Sequence, residues 1–93
     1  MKEKTIVTET HAEHRILARG LKFGLNFPET EARVKLAVYA GKESAFKHRS
    51  HDHKTYYHYF EDNLSIYVIC KEIELTDCIQ TTIKTIIIER GRE

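Results

Sequence analysis

Ninety-three residues with 41% hydrophobic and 31% charged content suit one globular domain spanning 1–93 and exclude a disordered chain. No apolar run approaches the roughly 20 residues that cross a bilayer, and no apolar signal core follows Met1-Lys2-Glu3-Lys4-Thr5, so a cytoplasmic protein with no membrane contact is expected. A net charge of +1 excludes polyanion binding by global charge but leaves room for cations gathered on one face.

Lys4 to Thr8 reads as a short strand. Thr10 and Glu13 have the spacing of an N-cap and its capping-box partner, and Gly20 suits a helix stop, which predicts a first helix between them. On a helical wheel Ala12, Ile16 and Leu17 form the side that packs. His11, Arg15 and Arg19 follow one another at i, i+4 and i+8 on another side, with His14 beside them. The plain alternative for such a stripe is a solvated outer face.

Asn26, Pro28 and Glu29 mark the start of a second helix. Phe27, Ala32, Leu36, Tyr39 and Ala40 supply its apolar stripe, and Gly41 ends it. This helix carries no chemistry and is expected to be scaffold. From Lys42 the pattern turns extended, with Ser44 to Lys47 as a short strand.

Thr55–Glu61 and Leu64–Lys71 are rich in β-branched and aromatic residues, and Asp62-Asn63 between them suits a two-residue hairpin turn. That turn sets a register. Tyr59 falls opposite Ile66 and Tyr57 opposite Val68 on a core face, while His58 falls opposite Tyr67 and Tyr56 opposite Ile69 on an open one. The open face would then carry Lys54, Tyr56, His58, Phe60, Ser65, Tyr67 and Lys71. Glu72 to Gln80 reads as a polar connection. Thr81 to Glu89 reads as a strand buried on both faces, hence central in its sheet. The residues from Arg90 to Glu93 read as a frayed tail. The architecture expected is α+β: two N-terminal helices packed on one face of an antiparallel sheet of about four strands, in the order β-α-α-β-β-β.

Residues 48–60 hold four of the six histidines and three of the five tyrosines. Three chemistries compete there. His48, His51 and His53 are a metal alternative, though no cysteine lies nearby and the spacing fits no usual zinc site. Acid–base cleavage of RNA needs a base, an acid and cations for the phosphorane, which histidine and Arg or Lys supply. Binding without chemistry would stack unpaired bases on the aromatics and hold phosphates with cations. The two cysteines, Cys70 and Cys78, are expected as free thiols.

The segment from His11 to Leu21, with its His-Ala pair, Arg15 and Arg19-Gly20-Leu21, resembles the signature of a family of small bacterial domains in the RelE/ParE toxin-like superfamily. The resemblance implies a compact α+β domain. It also implies an RNA-cleaving toxin acting on free or ribosome-bound RNA, with a cognate antitoxin protein as partner. By that likeness His11, Arg15 and Arg19 match motif positions.

The resulting expectation is a metal-independent endoribonuclease without a cofactor. His58 is general base or acid, His11 or His53 its counterpart, and Arg15 and Tyr67 complete the catalytic set. Arg19, Lys54, Tyr56, His14 and Arg49 contact the nucleic acid. A non-enzymatic RNA- or protein-binding module of the same fold is the alternative.

Overall fold

The structure, a computed structural model, describes residues 2–44 and 52–93. Strand β1 (Glu3–Thr8) leads into helices α1 (Thr10–Leu21) and α2 (Phe27–Ala40). Four strands follow: β2 (Lys42–Glu43), β3 (Lys54–Phe60), β4 (Leu64–Glu74) and β5 (Cys78–Arg90). They form one five-stranded sheet in the order β1-β5-β4-β3-β2. The fold is α+β with two helices, but the sheet is mixed and not the four-stranded antiparallel one expected. β1 lies parallel to β5, from Glu3↔Cys78 to Thr8↔Ile83, while the other neighbours are antiparallel. The two intervening helices supply the long crossover that parallel pairing needs.

β5 sits between β1 and β4, and burial of Thr81, Ile83, Thr85, Ile86 and Ile88 follows from that central place. Ala12 and Ile16 of α1 and Val34, Ala37 and Val38 of α2 meet Ile66, Val68, Cys70, Ile83 and Ile86 of the sheet in one core. The expected core side of α2 is therefore corrected. Leu36 and Tyr39 stand 44% and 59% exposed, Ala32 and Ala40 also face solvent, and only Phe27 of that stripe packs on the core. α2 is apolar on two sides, so a wheel alone could not choose between them.

Capping also differs between the helices. Asn26 accepts from Glu29 N at 2.9 Å and Glu29 Oε1 accepts from Asn26 N at 3.4 Å, a complete capping box. At α1 the box expected between Thr10 and Glu13 is absent. Glu9 takes the N-cap position, and its carboxylate is drawn away to Lys84 at 2.6 Å. Gly20 does not end α1 either. It lies buried inside the helix, where a Cβ would overlap Thr30 Oγ1 of α2, so glycine permits the close approach of the two helices. The chain turns afterwards at Gly24, whose φ of 78° suits a residue without Cβ.

The β3–β4 hairpin closes with three loop residues, Glu61, Asp62 and Asn63, because the ladder runs Phe60↔Leu64, Tyr59↔Ser65, His58↔Ile66, Tyr57↔Tyr67. Asn63 takes the left-handed region at φ 65°, its N–H returns to Phe60 O at 3.0 Å, and Tyr59 Oη donates to its Oδ1 at 2.7 Å. A turn followed by a left-handed residue is the usual three-residue hairpin. One added loop residue shifts every expected pair and turns all of β3 over relative to β4.

β4 continues through Glu74, so the polar connection expected from Glu72 to Gln80 shrinks to three residues before Cys78. The tail is tied down, not frayed. Ser65 Oγ donates to Gly91 O, Glu93 N to Tyr57 Oη at 2.9 Å, and Ser44 Oγ to Glu93 Oε2 at 2.8 Å. Ser44 itself lies just past β2, and the rest of the strand expected over Ser44–Lys47 falls outside the described residues. No helix among the described residues is long and apolar enough to cross a membrane.

Candidate nucleic-acid interface

The register decides where the chemistry-bearing side chains go. Tyr56, His58 and Phe60 share the helix-facing side with Leu64, Ile66 and Val68, while Tyr57 and Tyr59 share the outer side with Ser65 and Tyr67. His58 and Tyr67 therefore lie on opposite faces, against the expected cross-strand pair. Tyr67 is buried on the outer face with its ring 5.0 Å from that of Tyr57. Burial, then the nearby Glu93 and Glu89 carboxylates, push its phenol up to about 12. A phenol so placed is a poor proton donor at neutral pH.

Tyr56 and Lys54, expected to touch nucleic acid, are instead drawn into a polar cluster beside the last turn of α2. Tyr56 Oη donates to Glu72 Oε2 at 2.8 Å and accepts from Lys4 Nζ at 2.8 Å. Thr81 Oγ1 donates to the same carboxylate oxygen at 2.7 Å, and Lys54 Nζ lies 3.2 Å from the other. Lys4 also reaches Val38 O at 3.4 Å, where a helix C-terminus favours a cation. Burial alone would raise the Glu72 carboxyl; the hydrogen bonds from Thr81, Tyr56 and Lys54 and the charge of Lys4 outweigh it and hold the group below its ordinary value. Burial and the adjacent Glu72 push the Tyr56 phenol strongly up. Sequence reasoning missed Glu72. The signal was there, since Cys70 and Glu72 continue the even-numbered core face of β4.

His58 is half-buried, edge-on to Phe60 with ring centroids 4.6 Å apart, and opens on clefts at the outer edge of β3. Neither expected counterpart joins it. His11 opens α1, which packs on β5, and β4 lies between β5 and β3, so two strand spacings, about 10 Å, intervene. His53 is five residues away along an extended chain, about 16 Å, with Nδ1 3.4 Å from Asp52. One phosphodiester cannot be reached by an acid and a base so separated. His48, Arg49 and His51 lie outside the described residues. Among the described residues no three His, Cys, Asp or Glu side chains are grouped to hold a metal.

The α1 stripe remains together. β1 ends opposite Ile83, so from Lys84 onward the edge of β5 has α1 alongside in place of a strand. Arg19 lies over that edge, with Nη1 donating to Ile86 O and to Thr85 Oγ1 at 3.3 Å. His11 Nε2 sits 3.3 Å from Glu9 Oε1, and Glu9 is held below its ordinary range by its hydrogen bond from Lys84. His14, Arg15 and Lys22 are exposed, and none makes an ion pair among the described residues. Arg90 stacks on Phe23 at 5.2 Å just beyond.

Comparison with protein-family models, with curated proteins and with solved structures finds no match to this chain.

Proposed function

We propose that this chain is a non-enzymatic RNA-binding module that grips phosphates with the exposed side of α1. The observation that carries the reading is the stripe itself: Arg15 and Lys22 are exposed and make no ion pair among the described residues, in line with His11, His14 and Arg19 along the flank of β5. Cations so placed hold a backbone without reading sequence, and binding should weaken steeply with salt. A metal-independent endoribonuclease is the second reading, favoured by one observation, the His58 imidazole opening on a cleft. Against it, neither His11 nor His53, the expected counterparts, lies beside His58.

Fluorescence anisotropy of a labelled single-stranded RNA across a salt series tests the proposal. Replacing both Arg15 and Lys22 by Ala should flatten the slope of log affinity against log salt by roughly 1.4, about 0.7 for each lost phosphate contact. An unchanged slope overturns the proposal. The same RNA should stay intact on a gel, and cleavage abolished by His58→Ala would instead establish the nuclease.

A further inference from the structure

We infer that the bare edge of β3 at Tyr59 is a nucleobase-binding slot. β2 leaves α2 through Gly41, where a Cβ would collide with Ala37 O and Tyr57 O, so helix passes into strand with no connecting loop. β2 pairs for only two residues, Lys42↔Tyr57 and Glu43↔Tyr56. Ser44 N donates to Thr55 O at 2.7 Å, which shows that odd-numbered residues of β3 turn their backbone groups toward β2. By alternation the N–H and C=O of Tyr59 point the same way. The residue that would face them, Ala40, belongs to α2. One donor and one acceptor, side by side on one residue, are therefore left without a strand partner among the described residues.

A cleft of about 620 Å³ opens there, lined by Ala40, Gly41, Tyr57, His58, Tyr59 and Arg92 among others. That size is ordinary for a small-molecule site. Two ring contacts border it. The His58 ring meets Phe60 edge-on, and the Arg92 guanidinium lies 4.6 Å over the Tyr59 ring. The charges of its lining largely cancel: Lys42 and Arg92 stand against Glu43 and Glu93, with Lys54 3.8 Å from Glu43. Such a cleft suits a neutral planar heterocycle better than a phosphate. A nucleobase fits that description, because its Watson–Crick edge sets a donor beside an acceptor and its faces stack on aromatics or guanidinium planes. The base can belong to a free nucleotide or to an unpaired position of an RNA strand. The slot lies at the opposite sheet edge from α1 and does not depend on the α1 reading.

Amide NMR of the full chain tests this with adenosine monophosphate, uridine monophosphate and a short oligo-adenylate. Either form of the base should move the Tyr59 amide strongly, while ribose 5-phosphate and an abasic ribose-phosphate oligomer should leave it in place. A shift with the oligomer alone assigns the base to an RNA strand, and one with the monophosphates alone to free nucleotides. Tyr59→Pro removes the outward N–H at a position where an edge strand tolerates proline, and Tyr59→Val keeps it. Proline should weaken binding about tenfold more than valine, as expected for a donor taken from a buried pair. Equal losses in the two variants overturn the slot. So does an unmoved Tyr59 amide in the unaltered chain at millimolar nucleotide, or the same shift with ribose 5-phosphate.

Discussion

The sheet has two edges, and each begins with the same defect: a short outer strand that fails to cover a long neighbour. On one side β1, with 6 residues, flanks the 13 of β5; on the other β2, with 2, flanks the 7 of β3. The first edge is closed. α1 runs along the uncovered part of β5, and Arg19 satisfies the Ile86 carbonyl there. The second is left open, with a cleft where a third residue of β2 would lie. Exposed strand edges invite pairing, and proteins blunt them with covering helices or charge. The closed edge uses both devices. At the open one Arg92 lies over the Tyr59 ring, but among the described residues neither a helix nor a charged side chain bonds the Tyr59 backbone, and that backbone stays available to a ligand.

The comparison breaks most readily at Gly20, the point that lets α1 sit close to α2. Gly20→Ala should gain roughly 1 kcal/mol of helix propensity yet lose a net of about 2–3 kcal/mol to overlap with Thr30. Urea unfolding will show it as a lower midpoint, partly restored by Thr30→Ala in the double variant. Next in size is Arg19→Ala, which strips the cap from the closed edge and should cost about 2 kcal/mol for a lost charged hydrogen bond. Hydrogen exchange should then quicken along β5 from Ile86 to Arg90 while β3 is unaffected; uniform quickening would mean that Arg19 supports the whole fold and not one edge.

The polar cluster beside the last turn of α2, which joins β1 to β3, is a milder test. Glu72 in the folded chain titrates below its ordinary 4.5, so its contribution is present at neutral pH and above 4.5, and is lost as pH falls through the folded value. Glu72→Gln should cost about 1–2 kcal/mol at pH 7 and flatten the stability profile below pH 4.5, measured by denaturant melts at each pH. Smallest is Arg33→Ala. Its two bonds to Asp62, at 2.9 and 2.7 Å, hold the hairpin loop on α2, but that carboxylate is half exposed, so the loss should stay under about 1 kcal/mol. A larger loss would show that the loop governs the open cleft.

Much of this plan was legible in the sequence, for reasons that can be named. Asn26 and Glu29 announce α2 because a capping box is a local event among neighbours in sequence. The isoleucines of β5 announce a central strand because burial on both faces removes the alternation. What failed turned either on partners far along the chain or on one backbone conformation in a turn. Thr10 and Glu13 satisfy the capping pattern, yet Lys84 competes for Glu9 from 75 residues away. The choice between two and three loop residues turned on Asn63 taking a left-handed conformation, and that single residue decided whether His58 met Tyr67 or Ile66. For the candidate sites, residue types were readable and their company was not. Tyr56 and Lys54 found Glu72, while Arg15 kept its solvent.

The parallel pairing of β1 with β5 has a consequence for how the chain is made. Glu3 meets Cys78, so strands 75 residues apart in sequence are neighbours in the sheet, and the strand between β1 and β4 is the one that leaves the ribosome after the other four. Contacts of such long separation fold slowly, on a scale of milliseconds to seconds. Until β5 arrives, β1 has no partner and β4 offers Ile66 and Val68 beside an unpaired edge. During synthesis the nascent chain thus carries its most adhesive surface in the middle of its future sheet, and β5 covers it last.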